Sequence, residues 1–569
     1  MPNQPTATEL YTAWLNDPNV DEETKAELRR IADEPAEIED RFYRDLEFGT
    51  GGLRGVMGAG TNRMNRYVVG KATQGFARYL LARFSSPSVV IAHDSRNQSD
   101  TFALEAACVL AANGIKTYLY PSLRPTPQLS FAVRDLKAAG GIVVTASHNP
   151  PEYNGYKVYG ADGGQLIPDD AERVIAAIRE VASFDEVKRL TRQEAEAKGL
   201  IEWLGEEADE RFVGAVVSQT VQPEFLRGGA GDRLTVVYTP LHGAGNVPVR
   251  TVLAKAGFGN VHVVPEQERP DGYFSTVKSP NPEEREAFAL AIELGEKLGA
   301  DLIIGTDPDC DRMGAVVKNN EGRYEVLSGN QSGAIMVHYL LSNLKKVGKL
   351  PANGAVVKTI VTSEMGADIA KSYGMSVINT LTGFKYIGEK ITEFERTGEH
   401  SFLFGYEESY GYLTGAYARD KDAVVASLLI SEAAAYYKEQ GKTLYDVLLE
   451  LYAEYGTYME KLESRTLKGK DGVAKIAGIM NDWRANPPAA VGGIAVTKVL
   501  DYEAGLDGLP KENVLKFMLA DGSWFCLRPS GTEPKIKVYF AVRGEGLGKA
   551  EAALGQLVAA VMQRVDALS

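Results

Sequence analysis

Residues 88–120, SVVIAHDSRNQSDTFALEAACVLAANGIKTYLY, carry a strand–helix–strand pattern. The two ends of this stretch, SVVIAHD (88–94) and IKTYLY (115–120), are short apolar runs rich in β-branched or aromatic residues, which is typical of buried strands. The segment between them, DTFALEAACVLAANG (100–114), has the length of a helix and closes on Asn-Gly, a frequent helix stop. Because GGIVVTAS (140–147) is another strand of the same kind, the region predicts βαβ units and a parallel sheet.

Two later blocks, at residues 233–307 and 354–409, repeat this alternation of short apolar runs and longer amphipathic stretches. The repetition predicts three related α/β domains with mixed, mainly parallel sheets and helices on both faces. After about residue 460 the β-rich runs follow one another directly, and a helix is expected at 546–567. This last pattern predicts an antiparallel sheet in a C-terminal α+β domain.

The length of the chain also indicates several domains. At roughly 150 residues per domain, 569 residues are expected to form about four. Residues Leu10, Trp14, Leu28 and Ile31 recur at helical spacing before position 45, so helices are expected there. The predicted units are an N-terminal helical extension at 1–45 and domains at 46–215, 216–325, 326–458 and 459–569.

Composition and charge narrow the function classes. The composition, 44% hydrophobic and 24% charged residues, is typical of a globular protein. The net charge of −14 argues against nucleic-acid binding, which would require a basic surface. Cys108, Cys310 and Cys526 form no CxxC pair, which fits a reducing compartment and gives no zinc site. We find no apolar run of about 18 residues and no apolar signal segment in residues 1–30. A cytoplasmic protein without membrane or nucleic-acid partners is therefore expected.

The first chemically informative loop is TASHNP (145–150), which follows the predicted strand GGIVV. Ligands of open parallel sheets bind beyond the carboxyl ends of the strands, so Ser147 is a candidate nucleophile or phosphate carrier. The alternative is a polar strand exit in which serine and asparagine cap the next segment. A G-x-S-x-G pattern is missing from this loop, so a hydrolase nucleophile elbow is not expected.

The second loop, in ADLIIGTDPDCDR (300–312), places Asp307, Asp309 and Asp311 two residues apart after an apolar strand. Carboxylates so close repel one another unless a cation lies among them, and oxygen ligands in a compact turn suit Mg²⁺. An EF-hand is excluded because its required glycine and glutamate positions hold Arg312 and Lys318. An exposed acidic turn remains the alternative.

The third loop, in HSFLFGYEESYGY (400–412), carries Glu407 and Glu408, two acceptors that suit sugar hydroxyls better than a phosphate. Nearby Arg419 and Lys421 could hold a phosphate. The alternative interpretation is a glutamate-rich helix N-terminus.

Two more glycine-containing loops offer donors to an anion. In FCLRPSGTEPKIKVY (525–539), Arg528 and Ser530 stand beside Gly531 and Thr532, which together could form an anion cradle or only a β-turn. A second loop, at 46–66, adds Arg54, but it lacks the preceding strand and the spacing of a dinucleotide-binding motif.

Taken in order, TASHNP (145–150), DPDCDR (307–312), GYEES (405–409) and RPSGTEP (528–534) resemble the loops of the α-D-phosphohexomutase superfamily. FGTGGLRG, TPLHGAG, TLTGFKYIGEKI and RDKDAV agree with it, and the likeness extends from about residue 45 to the C-terminus. Within the superfamily, the chain is most similar to the longer bacterial phosphoglucomutases and the related phosphopentomutases. The resemblance implies an intramolecular phosphotransferase, a phosphosugar mutase, with four domains around a central cleft.

The resemblance implies one role for each loop, so that the four domains carry the phosphoserine, metal-binding, sugar-binding and phosphate-binding loops in turn. Ser147 is implied as the phosphoserine, and Asp307, Asp309 and Asp311 as Mg²⁺ ligands together with the serine's phosphate. Hydroxyl groups of the sugar would be held by Glu407 and Ser409. The full implied substrate-binding set is Arg312, Thr382, Gly383, Glu407, Ser409, Lys421, Arg528, Ser530, Gly531 and Thr532.

A mechanism follows from these roles, with Arg54 and Lys157 balancing charge on the moving phosphoryl group. A sugar 1,6-bisphosphate would form, turn round in the cleft and return its other phosphate to Ser147, so the bisphosphate is also the expected activator. For the general base we expect Lys157, as a buried amine of lowered pKa, and His148 second, although His148 could instead orient Ser147.

The implied reaction interconverts α-D-glucose 1-phosphate and glucose 6-phosphate. A phosphopentomutase, acting on ribose or deoxyribose phosphates, and a phosphomannomutase are the alternatives, and the protein is expected as a monomer or homodimer.

Some relatives carry histidine at the position of Tyr412, and tryptophan or histidine at the position of Phe384. Two alternatives belong to other functional classes: a phosphatase that uses Asp307 as nucleophile, and a non-catalytic sugar-phosphate binder.

Overall fold

The computed structural model describes residues 5–49, 51–467, 470–530 and 535–568. The chain begins with three helices whose apolar faces pack around Trp14 and Phe42, against Tyr67 of the first domain. Thr6 starts the first helix with a capping box, and proline occupies the first turn of the third. The helices are α1 (Ala7–Asn16), α2 (Glu22–Arg30) and α3 (Pro35–Phe42).

The first domain is built on a six-stranded sheet of order β1-β5-β4-β2-β3-β6, in which β4, β2, β3 and β6 are parallel. β5 runs antiparallel to both β1 and β4. Its elements are β1 (Gly52–Val56), α4 (Arg66–Arg83), β2 (Ser88–His93), α5 (Ser99–Ala112), β3 (Lys116–Leu119), α6 (Thr126–Asp135), β4 (Gly140–Val144), β5 (Tyr153–Gly160), α7 (Pro168–Arg179), α8 (Arg192–Ala197) and β6 (Ile201–Trp203).

The second domain has a five-stranded sheet of order β11-β10-β9-β7-β8, with β9, β7 and β8 parallel and a β9–β10 hairpin at one side. Its elements are α9 (Glu206–Val217), α10 (Pro223–Phe225), α11 (Gly231–Arg233), β7 (Val236–Thr239), α12 (Asn246–Ala256), β8 (Val261–Val263), α13 (Pro265–Glu268), α14 (Ala289–Leu298), β9 (Leu302–Thr306), β10 (Met313–Lys318) and β11 (Tyr324–Val326).

The third domain has a four-stranded sheet of order β13-β12-β14-β15, parallel except for the β14–β15 hairpin. It shares one continuous apolar core with the second domain. Its elements are α15 (Gly329–Lys346), β12 (Gly354–Thr359), α16 (Glu364–Ser372), β13 (Ser376–Thr380), α17 (Phe384–Thr397), β14 (Ser401–Glu407), β15 (Gly411–Thr414), α18 (Ala423–Lys438) and α19 (Leu444–Tyr455).

The fourth domain is an antiparallel six-stranded sheet of order β16-β21-β20-β19-β18-β17 with two helices packed on its core. Its contact with the third domain is an apolar layer that includes Ile360 and Trp524. Its elements are β16 (Thr457–Thr466), α20 (Lys470–Ala485), β17 (Ala490–Val491), β18 (Ile494–Asp501), β19 (Leu515–Leu519), β20 (Trp524–Pro529), β21 (Lys535–Gly544) and α21 (Leu547–Ala567).

The fold predicted from the sequence is confirmed: three α/β domains with mixed sheets are followed by an antiparallel α+β domain. One strand, which the sequence pattern did not single out, begins with YNGYK (153–157). It forms β5, because the chain turns back after Pro150 and pairs antiparallel with β4, so that both faces of the new strand are buried. The domain bounds stay predictions; the one after residue 215 falls inside α9.

Among the described residues, none of the helices combines the length and the hydrophobicity that a bilayer crossing demands.

Candidate active site

Ser147 lies just beyond the carboxyl end of β4, in the loop that turns back into β5. It is almost fully buried and has a left-handed backbone, with φ of 52°. Its backbone N–H donates to Thr145 Oγ1 at 2.8 Å, and its hydroxyl donates to Asp307 Oδ2 at 2.7 Å. The candidate nucleophile of the first domain therefore touches the acidic loop of the second.

The acidic loop is the turn between β9 and β10. Cys310, with φ of 55°, reverses the chain, and Asp307 Oδ1 accepts the backbone N–H groups of Asp311 and Arg312, each at 3.1 Å. Asp307, Asp309 and Asp311 are all buried, and one oxygen from each lies within 4.8 Å of the others. The exposed acidic turn considered from the sequence is therefore not what this loop forms.

Two lysines from other domains neutralise part of this negative charge. Lys157 Nζ lies 2.8 Å from Asp309 Oδ2 and 3.3 Å from Asp311 Oδ2. Lys421 Nζ lies 3.2 Å from Asp311 Oδ2. The Oδ1 atoms of Asp309 and Asp311 are buried without a hydrogen-bond partner. Uncommitted carboxylate oxygens of this kind are the donor set that a divalent cation such as Mg²⁺ takes, so the residues present fit the metal.

The acidities of the three aspartates differ because their partners differ. Burial, followed by the charges of Asp309 and Asp311, raises the pKa of Asp307 well above its usual value. Burial would also raise the pKa of Asp309, but Lys157 and hydrogen bonds, one of them from Thr126 Oγ1 at 2.7 Å, hold that pKa below its usual value. Ser147 thus donates its hydroxyl to the aspartate whose pKa is raised.

The prediction that Lys157 has a lowered pKa is wrong for the protein without bound metal. Burial alone would lower the pKa of its amine, but the carboxylates of Asp309 and Asp311 outweigh this effect and raise it. His148, the second candidate base, has its Nδ1 at 3.3 Å from Ser147 Oγ. Burial, reinforced by the nearby charges of Arg312 and Arg54, places the pKa of His148 well below its usual value, so the ring is neutral.

Arg54 and Arg312 both lie close enough to His148 to influence its pKa. Arg54 is exposed on β1. Its Nη1 donates at 3.0 Å to Oδ1 of Asn149, in the loop 145–153, which we call the Ser147 loop. Arg312 donates from Nη1 to Glu283 Oε1 at 2.8 Å, and its backbone pairs with Gly411 of the third domain. Both guanidinium groups therefore belong to the surroundings of the Ser147–Asp307 pair.

In the third domain, Glu407 lies at the end of β14, and its Oε1 accepts the backbone N–H of Gly383 at 2.9 Å. Gly383 precedes α17 with φ of 123°, a conformation that favours glycine. Thr382 Oγ1 is buried without a partner, and Ser409 is partly exposed. This group of residues therefore combines a buried carboxylate with a hydroxyl oxygen that makes no bond within the protein.

The two glutamates of the GYEES motif are not equivalent. Glu408 accepts hydrogen bonds from Thr362 Oγ1 at 3.2 Å and Thr359 Oγ1 at 3.4 Å, within its own domain. Burial and the neighbouring charge of Glu407 raise the pKa of Glu408 to about 7. Of the pair, Glu407 is the one that accepts a hydrogen bond from Gly383.

Arg419 and Lys421, which the sequence suggested for a phosphate, have different surroundings. Arg419 is fully buried, and it donates to Glu395, to Thr392 and to the backbone oxygens of Ala416 and Ala418. These hydrogen bonds lie within the protein and stabilise its fold. Lys421 lies in the aspartate cluster, where Asp311 and Asp420, outweighing burial, raise its pKa.

The fourth-domain loop is described only in part. Arg528 donates from Nε to Glu512 Oε1 at 3.1 Å, and the N–H of Ser530 donates to the backbone oxygen of Lys535 at 2.7 Å. Gly531 and Thr532 lie outside the described residues.

Three cationic residues near the candidate site were not predicted from the sequence. Lys537 on β21 and Lys385 on α17 gather near Arg528, and burial together with the charge of Arg528 lowers the pKa of each. Arg96, after β2, donates to the backbone of the Ser147 loop. Each residue had a signal in the sequence. Lys537 is the second lysine of KIKVY, Lys385 follows Gly383 by two positions, and Arg96 lies in HDSRN, the polar segment at the end of a predicted strand.

Four family models match the chain in succession. They describe the phosphoglucomutase/phosphomannomutase alpha/beta/alpha domains I, II and III, at residues 45–184, 210–322 and 328–455, and the C-terminal domain of the same family, at residues 465–553.

Curated proteins and solved structures agree with these models. A phosphoglucomutase of Staphylococcus haemolyticus is 40% identical over 89% of this chain and 91% of its own length. One from Staphylococcus aureus is 36% identical over 91% of this chain and 93% of its own. The open form of the Paramecium phosphoglucomutase pp63/parafusin superposes with a TM-score of 0.71 at 17% identity, covering 92% of this chain and 95% of that one, which shows a shared fold.

Proposed function

The chain belongs to the phosphoglucomutase/phosphomannomutase family and is a phosphosugar mutase, and from that premise we propose that Ser147 carries the phosphoryl group between α-D-glucose 1-phosphate and glucose 6-phosphate. The observation that supports this role best is the 2.7 Å hydrogen bond from Ser147 Oγ to Asp307, inside a buried group of three carboxylates. A serine so placed can exchange a phosphoryl group next to a bound cation.

We assign the metal to Asp307, Asp309 and Asp311 together with a phosphate oxygen on Ser147. Mg²⁺ bound there would draw charge from the phosphoryl group during transfer. The two buried, unpaired Oδ1 atoms of Asp309 and Asp311 support the assignment, since a buried acceptor without a partner is costly.

The protein's own residues supply positioning and charge, which is most of what phosphoryl transfer requires. Lys157 and Lys421 approach the aspartates from the first and third domains, and Arg54 lies beside the Ser147 loop, so cations surround the group in transit. Lys157 and His148 stay the candidates for moving the proton of the attacking hydroxyl.

The second phosphate of the substrate belongs, in this proposal, to the fourth domain. This phosphate would be bound by Arg528 and Ser530, together with Lys537 and Lys385. Glu407 and Ser409 would form hydrogen bonds with the hydroxyl groups of the sugar. A bisphosphorylated intermediate would then turn round between the two anion sites, and a sugar 1,6-bisphosphate would prime Ser147. We place the protein in the cytoplasm, as a monomer or homodimer acting on a small phosphosugar.

The test is turnover of α-glucose 1-phosphate and of ribose 1-phosphate, with Mg²⁺ and a trace of the matching bisphosphate, by wild type and Ser147→Ala. We expect a preference for glucose 1-phosphate of about a hundredfold or more in kcat/KM, and loss of activity in the variant. Preference for ribose 1-phosphate would make the protein a phosphopentomutase. Phosphate release that survives in Ser147→Ala would support an aspartate phosphatase, and binding without turnover a sensor.

A further inference from the structure

The backbone of the Ser147 loop is held by one side chain that touches no reacting atom. Arg96 follows β2, and its guanidinium is completely buried. Its Nη2 donates to the backbone oxygens of Ser147 at 2.6 Å and Asn149 at 2.5 Å. Its Nη1 donates to those of Pro150 at 2.8 Å and Tyr153 at 3.0 Å. Four carbonyl groups of one loop thus converge on one planar group.

This contact matters because the loop is strained at its reacting residue. Ser147 has φ of 52°, a left-handed conformation that is unfavourable for residues other than glycine and persists only when surrounding contacts impose it. The carbonyl of Ser147 itself is one of the four acceptors of Arg96. A bond to this carbonyl sets the peptide plane after Ser147, and with it the direction in which the side chain leaves the backbone.

Asp94 anchors both Arg96 and the strained residue. Its Oδ1 accepts the backbone N–H of Arg96 at 2.8 Å, and its Oδ2 lies 3.3 Å from Arg96 Nε. The same Oδ2 accepts the hydroxyl of Thr145 at 2.6 Å, and Thr145 Oγ1 in turn accepts the N–H of Ser147 at 2.8 Å. One buried ion pair therefore fixes the peptide groups on both sides of Ser147.

The second domain covers the free face of this guanidinium. The ring of Phe274 is buried, and its centroid lies 5.0 Å from Arg96 Cζ, within the range of a cation–π contact. Phe274 also has a left-handed backbone, with φ of 49°. Farther along the same segment, Ser279 Oγ donates to the backbone oxygen of His148 at 3.3 Å. The domain that supplies Asp307 thus also contacts the support of Ser147.

We propose that Arg96 is a positioning residue for phosphoryl transfer: it holds Ser147 Oγ toward Asp307, and Phe274 of the second domain fixes the plane of its guanidinium. This inference rests on the proposed role of Ser147. Arginine is required because its planar fork reaches several acceptors at once, whereas the single ammonium group of lysine cannot bond all four carbonyls.

The test compares Arg96→Gln, Arg96→Lys and Phe274→Leu with wild type and with Arg189→Gln as the control. Arg189 is another arginine of the first domain; it pairs with Glu105 and makes no contact with the Ser147 loop among the hydrogen bonds of the described residues. Phosphorylation of Ser147 by glucose 1,6-bisphosphate is followed by intact-mass spectrometry, and kcat and KM are measured on glucose 1-phosphate.

We expect Arg96→Gln to slow Ser147 phosphorylation and kcat by about a hundredfold with little change in KM, because a displaced nucleophile weakens the transition state and leaves ground-state binding intact. Arg96→Lys should recover part of the loss, and Phe274→Leu should lower kcat by about tenfold, since it removes the stack and leaves the hydrogen bonds. The control should match wild type.

Several outcomes would overturn the inference. If folded Arg96→Gln phosphorylates Ser147 within about twofold of the wild-type rate, Arg96 does not position it. If Arg96→Gln fails to fold, Arg96→Lys and Phe274→Leu decide, and wild-type kcat in both refutes the proposal. A wild-type enzyme that transfers phosphate without labelling Ser147 would instead refute the proposed function, so the two failures are distinguishable.

Discussion

Lys157 illustrates how neighbours in space set the chemistry of a residue. A buried lysine far from any carboxylate would lose its proton, and the sequence analysis expected that outcome. In the folded protein Lys157 meets Asp309, 152 positions away, and its pKa rises. Its ammonium group is therefore a charge partner of the acidic loop in the protein without metal.

Replacing Lys157 with methionine should lower kcat by about a hundredfold or more, since either role of the amine, charge balance or proton transfer, is lost. Lys157→Arg, which keeps the charge, should retain more activity if charge balance dominates. Steady-state turnover of glucose 1-phosphate measures both. Near-normal turnover of Lys157→Met would remove the residue from both roles.

A second residue-scale prediction concerns pH. Glu432 is fully buried, accepts the N–H groups of Val221 and Gln222, and has its pKa raised by burial from 4.5 to about 7. The folded state then binds more protons than the unfolded state between these pH values, so this group lowers stability as pH rises and its full cost is present above about pH 7.

Glu432→Gln removes that titration. Between pH 5 and pH 8, the free energy of unfolding should fall less for the variant than for wild type. The difference between the two decreases should be up to about 3 kcal/mol. Urea unfolding at the two pH values measures the difference, and exposed Glu551→Gln serves as the control. Equal pH slopes for wild type and Glu432→Gln would contradict the prediction.

At the scale of the elements, close packing restricts where a helix accepts a side chain. Gly75 of α4 faces α7, and a Cβ at this position would lie 2.6 Å from the Cα of Ile178 and 2.4 Å from its Cγ1. Gly214 of α9 has no atom within 4 Å of such a Cβ. Both glycines lie within helices, but only Gly214 has space for a methyl group.

Gly75→Ala should destabilise the protein by about 1–3 kcal/mol, because α4 and α7 must move apart. Gly214→Ala should stabilise it by about 0.5–1 kcal/mol, since alanine is the better helix former and meets no neighbour. Thermal unfolding of both variants measures the shift in Tm. A lower Tm for Gly214→Ala, or a higher one for Gly75→Ala, would show that this packing argument fails.

Across the whole molecule, hydrogen bonds and ion pairs join the first and third domains. Arg419 N donates to Ser130 Oγ at 2.8 Å, and Glu395 binds both Arg419 and Arg134. Tyr159 of β5 donates to Asp420 at 2.7 Å. These contacts lie beside Lys421, so the cohesion of the two domains and the geometry of the aspartate cluster depend on the same segment.

Arg419→Lys should lower Tm and reduce kcat together, because lysine keeps the charge but cannot satisfy the carbonyl groups of Ala416 and Ala418 and the Glu395 carboxylate at once. We expect a loss of about 2–4 kcal/mol in stability. Arg396→Lys, an exposed change on α17, is the control. A wild-type Tm for Arg419→Lys would contradict the structural role given to this arginine.

The fold class and the position of the main loops along the chain follow from local patterns in the amino-acid sequence. Strand periodicity, helix stops such as Asn113-Gly114, and motifs such as DPDCDR are local patterns, and each acts through residues close to it in the chain. The burial and clustering of Asp307, Asp309 and Asp311 agree with their spacing after β9.

How those loops meet one another depends on contacts between distant parts of the chain. The positions of Lys421 beside Asp311, of Arg419 in an interdomain contact and of Arg96 beneath the Ser147 loop depend on residues 50 to 290 positions apart. The raised pKa of Lys157 depends on charges brought to it by another domain. Through-space electrostatics and hydrogen-bond geometry are properties of the folded arrangement, because no local pattern in the chain records which distant groups will meet.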